Sequence, residues 1–414
     1  MALRLHFHSD CAFFAGCENM LVNLWNSEKL RQAYDISFSY RVTSDYEQGL
    51  RKRVKIDFPI YGHELPSPAG VNICPLEWPK FWGRIFRGLL RLFTKVRVAI
   101  YDFVILVKLF RHVDPQVIHI NNGGYPGAFS CRVAALAARF SGITDVVMVV
   151  NNLAEPYKTL SRWSDYPMDF LVRLSARVFV TGSRAAADRL RQVLRLQQGT
   201  VVPIHNGIAL RLATETPEET RLRLGLSSFP GLLFGVVALM EKRKGHGVLL
   251  EAVVHLVSSN TDIGSKFMVL LEGDGPTRDE INKFVTEHKV DKWVCFVGVE
   301  ENVLNFIRAI DVLILPSIDQ EDFPNVILEA MALGKPVIAS RLAGIPEQVI
   351  HEITGILVPP GDAVALADAL LQLLNDPQLL EQMGHNGRKR FESNFTAEIA
   401  VSNYLQLYKD LRGA

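Results

Sequence analysis

Glu321 and Glu329 bracket the segment Asp322-Phe323-Pro324-Asn325-Val326, and the pair could hold a polyhydroxylated ligand. Ionised carboxylates only accept hydrogen bonds, so two of them fixed at this spacing suit the vicinal hydroxyls of a sugar or a ribose. Pro324 fits the first turn of a helix, where its missing N–H is not needed. A helix that starts there offers backbone N–H groups and partial positive charge, a favourable setting for a pyrophosphate. Taken alone, two glutamates on such a stretch describe a solvated helix face equally well.

Those residues need rigid elements around them. Continuous apolar runs of strand length occur at Leu232–Leu239, Phe267–Leu271, Val294–Val297, Val312–Leu315 and Val337–Ser340. Between them, His246–Val257, Arg278–His288, Val303–Ala309 and Asn325–Leu333 have helical periodicity, the last stopped by Gly334. Strands without polar alternation, separated by helices, predict a parallel sheet covered on both faces, hence a doubly wound α/β domain. The N-terminal half has the same grammar more loosely. Strands are expected at Leu3–His8, Val117–Ile120, Val146–Val150 and Val178–Thr181, with helices from about Glu18 and over Ala128–Phe140. A length of 414 residues exceeds what one core supports, so two domains are expected. We place them at residues 1–208 and 209–396, with the charged stretch Ala209–Ser228 as the link and an amphipathic helix closing the chain over 397–414.

The order of several motifs resembles one family. Glu-x7-Glu with Phe-Pro inside is followed by Glu-Ala-Met-Ala-x-Gly-Lys-Pro-Val and by Gly344-Ile345-Pro346-Glu347. Upstream stand Lys244-Gly245-His246, Gly273-Asp274-Gly275-Pro276 and Phe296-Val297-Gly298. In this order and spacing, over about Leu232–Val358, they resemble the glycogen-synthase-like, retaining GT-B glycosyltransferases of the family 4 type. The resemblance implies two Rossmann-like domains facing across a cleft and a nucleotide-diphospho-sugar donor, UDP- or GDP-linked, with no further cofactor. It implies that Glu329 binds the ribose, that Glu321 binds hydroxyls of the transferred hexosyl group, and that Lys244 neutralises the pyrophosphate. The turn Asp322, Phe323, Pro324, Asn325 and Val326 would hold sugar and phosphates, Gly273 would border the donor, and peptide groups around Val297 would meet the base. Departure of the nucleotide leaves negative charge, which a fixed cation and helix N–H groups stabilise as it grows. No D-x-D triplet is present, so we expect no metal site, with the lysine and the helix terminus in its place. The family's retention is thought to let the leaving phosphate take the acceptor's proton, so the two glutamates are not read as the acid/base pair of a hydrolase.

The chain also departs from the pattern. The arginine usual five or six residues before the lysine is replaced by Leu239 and Ala238, while Arg243 adjoins Lys244. Phosphate neutralisation then rests on Lys244 alone or on Lys244 with Arg243. In the N-terminal half, Phe13-Phe14-Ala15-Gly16-Cys17-Glu18 takes the place of the family's Gly-Gly-x-Glu loop, leaving Gly16 alone to let the backbone approach the phosphate or the scissile region. Asp114-Pro115-Gln116-Val117-Ile118-His119 resembles the family's Pro-Asp-Val-Val-His strand, which makes His119 a candidate for acceptor contact or a brace between loops. Asn151-Asn152 stands where a histidine is common, and Pro203-Ile204-His205-Asn206-Gly207-Ile208 resembles the family's Pro-Asn-Gly-Ile-Asp hinge turn with Ala209 in place of the aspartate.

Lys80–Arg111 differs from its surroundings. Trp82, Ile85, Phe86, Leu89, Phe93, Val96 and Ile100 recur at helical spacing, while Arg84, Arg87, Arg91 and Lys95 take another face. This segment suits either an anionic membrane surface or a core contact with a solvated basic face. The net charge of +1 gives no reason to expect nucleic acid as a partner. Five scattered cysteines without a C-x-x-C pair point to a reducing compartment. No run of about 18 apolar residues is present and the start does not resemble a signal peptide, so we expect a cytoplasmic protein, peripheral on the inner face of the cytoplasmic membrane if Lys80–Arg111 meets lipid. The function expected from all this is transfer of a sugar to a glycan or lipid-linked acceptor in bacterial polysaccharide or lipopolysaccharide synthesis. A soluble transferase acting on a small sugar and a catalytically silent scaffold subunit are the alternatives.

Overall fold

The computed structural model describes residues 3–11, 14, 16–54, 57–66, 80–210, 212–259 and 263–413, and excludes the side chains of residues 17 and 80–92. The chain forms two units, one of Met1–His205 with Ala400–Ala414 and one of Asn206–Ile399.

In the first unit, strands β1 (Leu3–Ser9), β2 (Tyr34–Arg41), β3 (Ile60–His63), β4 (Val117–Asn122), β5 (Asp145–Val150), β6 (Val178–Thr181) and β7 (Val201–Pro203) form one parallel sheet in the order β3-β2-β1-β4-β5-β6-β7. Its two faces have different chemistry because β1 and β2 alternate. Leu5, Phe7, Ile36, Phe38 and Tyr40 join a core with Trp25, Tyr404 and Tyr408. His6 and His8 point the other way, and each ring is hydrogen-bonded to hydroxyls of Ser37, Ser39 or Ser130 at 2.8–3.3 Å. That polar seam explains why sequence periodicity did not disclose β2: Ser37 and Ser39 interrupt what a fully apolar buried strand would show.

The second unit holds β8 (Leu232–Val237), β9 (Phe267–Glu272), β10 (Val294–Gly298), β11 (Val312–Leu315), β12 (Val337–Ser340) and β13 (Gly355–Val358), again all parallel, in the order β10-β9-β8-β11-β12-β13. Helices His246–Ser259 and Ala363–Asn375 cover one face and Val303–Ala309 and Asn325–Ala332 the other. Both units are therefore doubly wound. The order reverses between β1 and β4 in one and between β8 and β11 in the other, the positions where such sheets bind ligands at the strands' carboxyl ends.

The expected link at Ala209–Ser228 is corrected. The units divide between His205 and Asn206, and Pro217–Arg223 is a helix packed into the second unit. Its charged Thr216-Pro217-Glu218-Glu219 start is a capping box: Thr216 Oγ1 accepts from Glu219 N at 3.1 Å and Glu219 Oε2 accepts from Thr216 N at 2.7 Å. Arg221 then reaches the Ala309 carbonyl at 2.7 Å and Asp311 at 2.9 Å. At the chain's end, the helix Ala397–Gly413 places Tyr404 and Tyr408 in the core of the first unit.

Candidate active site

The β8/β11 junction carries the densest group of predicted site residues. The loop after β8 ends in a short 3-10 turn, Lys242–Lys244, closed by Gly245 in the left-handed region at φ 73°. A Cβ on Gly245 would lie 1.9 Å from the carbonyl oxygen of Pro316, so only glycine lets the loops after β8 and β11 meet this closely. Ile318 N donates to the Arg243 carbonyl at 2.8 Å and fastens the same two loops. Here the Lys244 ammonium contacts the Glu321 carboxylate directly, and Ser317 Oγ donates to that carboxylate at 3.1 Å. Both charged side chains are largely buried, which strengthens their mutual attraction. Arg243 is held differently: Nε donates to Glu241 at 2.8 Å and Nη1 to the Gln320 carbonyl at 3.3 Å.

The helix Asn325–Ala332 follows at once, with its N-terminus at the carboxyl edge of the sheet. Pro324 occupies the N-cap and not the first helical position, and it provides no side-chain cap. Asp322 and Phe323 are buried, the latter edge-on to Phe395 at 5.7 Å between ring centres, so they shape the turn from inside. Pro324, Asn325, Val326 and Glu329 are partly exposed. Asn325 and Glu329 lie one helical turn apart on the same face. Sequence reasoning placed Asn206 in a hinge turn and gave it no role in the site; its Nδ2 lies 3.5 Å from both the Phe323 carbonyl and Asn325 Oδ1. Sequence reasoning overlooked Ser317, since a lone serine before a glutamate carries no recognisable signal.

The loops after β9 and β10 join this edge. Gly273, at φ 123°, donates its N–H to the Gly298 carbonyl at 2.7 Å, and a Cβ there would stand 2.2 Å from the Ala238 carbonyl. Met240 N donates to the Asp274 carbonyl at 2.9 Å, so the loops after β8 and β9 are also bonded to each other. Val297, half-buried near the end of β10, sits one residue before Gly298. Glu272 is buried at the end of β9 and accepts from Glu300 N at 3.0 Å; burial raises its pKa. His246 opens the next helix with neither ring nitrogen partnered among the described residues, and burial with the neighbouring Lys244 charge lowers its pKa to about 4.

In the first unit, Gly16 is the exposed start of the helix Gly16–Asn26, while Phe13 and Ala15 fall outside the described residues. Glu18 is buried and accepts from Ser9 Oγ at 3.0 Å and Asn121 Nδ2 at 3.3 Å. Asn151 Nδ2 donates to Asn121 Oδ1 at 2.8 Å, so the residue standing where a histidine was expected is a strut between β4 and β5. His119, expected as an acceptor contact or a brace, lies in the core of the first unit. It is 1% exposed, its Nδ1 is hydrogen-bonded to the Tyr408 hydroxyl at 2.7 Å, and burial lowers its pKa to about 3. The cause is register: His119 shares its face of the sheet with Phe7, against which the terminal helix packs.

Two family models match the chain: the one described as Glycosyltransferase Family 4 over residues 48–212 and the one described as Glycosyl transferases group 1 over residues 230–390. The chain is 38% identical to N-acetyl-alpha-D-glucosaminyl L-malate synthase of Bacillus anthracis over 151 residues, which is 36% of this chain and only 39% of that protein. It is 29% identical over 255 residues to the lipopolysaccharide core biosynthesis glycosyltransferase LpsD of Rhizobium meliloti, 60% of this chain and 68% of that one. Among solved structures, HepE of Anabaena in complex with UDP has the same fold, with a TM-score of 0.77 at 17% identity over 99% of this chain and 100% of that one. With both halves matched by family models in order, and two parallel-sheet domains of the same fold beneath them, the chain belongs to the GT-B glycosyltransferases of the family 4 type.

Proposed function

We propose that this glycosyltransferase moves a hexosyl group, with retention, from a UDP- or GDP-linked sugar to a glycan or lipid-linked acceptor. The setting is bacterial polysaccharide or lipopolysaccharide synthesis, at the inner face of the cytoplasmic membrane. One observation carries the reading: Lys244, Ser317 and Glu321 meet at the β8/β11 junction beside the N-terminus of the helix that bears Glu329. In this reading Lys244 and the N–H groups of that helix bind the diphosphate and stabilise the charge that grows as the glycosyl–phosphate bond breaks. Glu329 accepts from the ribose hydroxyls and Glu321 from the sugar. These groups suffice without a divalent ion, and the acceptor's proton passes to the departing phosphate. The lipopolysaccharide-related name of the Rhizobium meliloti relative supports the acceptor class.

A panel of nucleotide sugars tests the donor, because a ligand of the native state raises Tm by mass action. Anomeric NMR coupling of the product then tests retention. The expected results are one donor that stands out and an α-linked product from an α-linked donor. A flat panel or a β-linked product overturns the reading. A second reading, a small hydroxylated acceptor, is favoured by the malate-linked name of the Bacillus anthracis relative; transfer to free small acceptors but not to lipid-linked glycan selects it.

A further inference from the structure

The first unit wears part of its polarity inside out. The helix Lys80–Val113 contains a single acidic residue, Asp102, and that residue is fully buried. Its outward positions include Phe93, Val96, Ile100 and Val104, with Phe93 60% and Ile100 61% exposed. The helices Leu160–Trp163 and Tyr166–Ser175 repeat the inversion. Asp165 and Asp169 are turned inward and ion-paired with Arg132 and Arg162, while Leu160 is 90%, Trp163 52% and Leu174 65% exposed. Lys95 Nζ joins the two groups, 2.9 Å from Ser164 Oγ and 3.0 Å from Asp165. The helices Lys80–Val113 and Tyr166–Ser175 belong to the layer that covers one face of the seven-stranded sheet. Arg97, Lys108, Arg111 and Arg139 are exposed on the same layer.

Water-facing helices keep acids outside and large apolar side chains inside. The reverse arrangement, with the acids buried and bases exposed, matches a surroundings that is apolar at depth and negative at its rim. An anionic bilayer has that profile: aromatic and aliphatic side chains enter the acyl boundary, and arginine and lysine stay with the headgroups. We infer that this two-part face, the Phe93–Val113 stretch of the long helix together with the helices of Leu160–Ser175, seats the protein on an anionic lipid surface. The second helix group is as much a part of the seat as the basic helix, because Lys95 ties the long helix to Ser164 and Asp165, between the two short helices. The inference deepens the lipid-linked reading of the acceptor and rests on it only for its purpose; seating is measured with no donor or acceptor present.

The test is co-sedimentation of the full chain with vesicles of phosphatidylglycerol and phosphatidylcholine, and of phosphatidylcholine alone. Two variants accompany it, one with Ile100, Leu160, Trp163 and Leu174 changed to serine, the other with Arg97, Lys108, Arg111 and Arg139 changed to glutamate. All eight residues are at the surface, and an unaltered Tm checks folding. The parent should bind the anionic vesicles at least tenfold better than the neutral ones, and each variant should lose about tenfold or more. A parent that stays in the supernatant overturns the proposal, as does a serine variant that binds as well as the parent. So does a concentration-dependent dimer, abolished by the serine changes, without vesicle binding; the face would then serve a second copy. Sedimentation without any transferase turnover leaves the seat standing and removes the functional reading alone.

Discussion

The α-carbon of Gly245 is pressed against the backbone of Pro316, so that a Cβ at residue 245 would lie 1.9 Å from the Pro316 oxygen. This contact sets how the loops carrying Lys244 and Glu321 approach one another. Gly245→Ala must therefore part the loops as well as strain a backbone at φ 73°. The strain alone costs roughly 1–2 kcal/mol. We expect a lower Tm and a donor affinity reduced more than stability predicts, read by calorimetry on the folded variant. Unchanged affinity would show that loop spacing does not control donor binding.

Lys244→Ala tests the cation. Removing it leaves Glu321 with Ser317 as a neighbour and leaves the diphosphate without its point charge. Turnover should fall about a hundredfold or more with folding intact. Arg243 is bonded to Glu241, so we expect little compensation from it, and the double variant with Arg243→Ala should be only slightly worse. A near-normal single variant would move the role away from Lys244.

The two glutamates should separate by ligand. Glu329→Gln is expected to weaken both free nucleoside diphosphate and the whole donor, because both carry the ribose. Glu321→Gln should leave nucleotide affinity nearly unchanged and depress turnover. A charged hydrogen bond is worth about 1.5–3 kcal/mol, and glutamine retains one acceptor oxygen, so roughly tenfold effects are expected. The opposite pattern in calorimetry and steady-state rates would reverse the donor's orientation.

Buried histidines give the fold a pH dependence. Burial lowers the pKa of His8 and His119 to about 3 and, with Lys244, that of His246 to about 4, against an ordinary 6.5. Between those values the unfolded chain binds more protons than the native one, so this stability is present above pH 6.5 and is lost as pH falls toward 3. Each group contributes a slope of at most about 1.4 kcal/mol per pH unit. Urea unfolding at pH 7.5 and 5.0 should show a lower midpoint at the acid value. Tyr408→Phe should cost about 1–3 kcal/mol by leaving His119 Nδ1 buried and unpartnered, with kcat little altered. A large loss of kcat in a stable Tyr408→Phe protein would return His119 to the chemistry.

The sequence by itself determined the second unit and its motifs. β8, β9, β10, β11 and β12 are apolar runs because both faces of a parallel sheet are buried, and the Gly, Pro and Glu positions between them recur at spacings that loops at one sheet edge require. It likewise marked Lys80–Arg111 as unusual, since charge imbalance is a property of composition. What it could not decide was which residues face each other. Whether His119 meets a ligand or Tyr408 depends on a helix 289 positions away packing beneath β4, and no local pattern records that. Thr216–Glu219 had the composition of a linker, yet its capping bonds and the reach of Arg221 to Asp311 made it a helix of the second unit. Only the tertiary structure turned Asp102, Asp165 and Asp169 inward and Phe93, Ile100 and Leu160 outward, because helical periodicity fixes the angle between two faces but not which one meets the sheet.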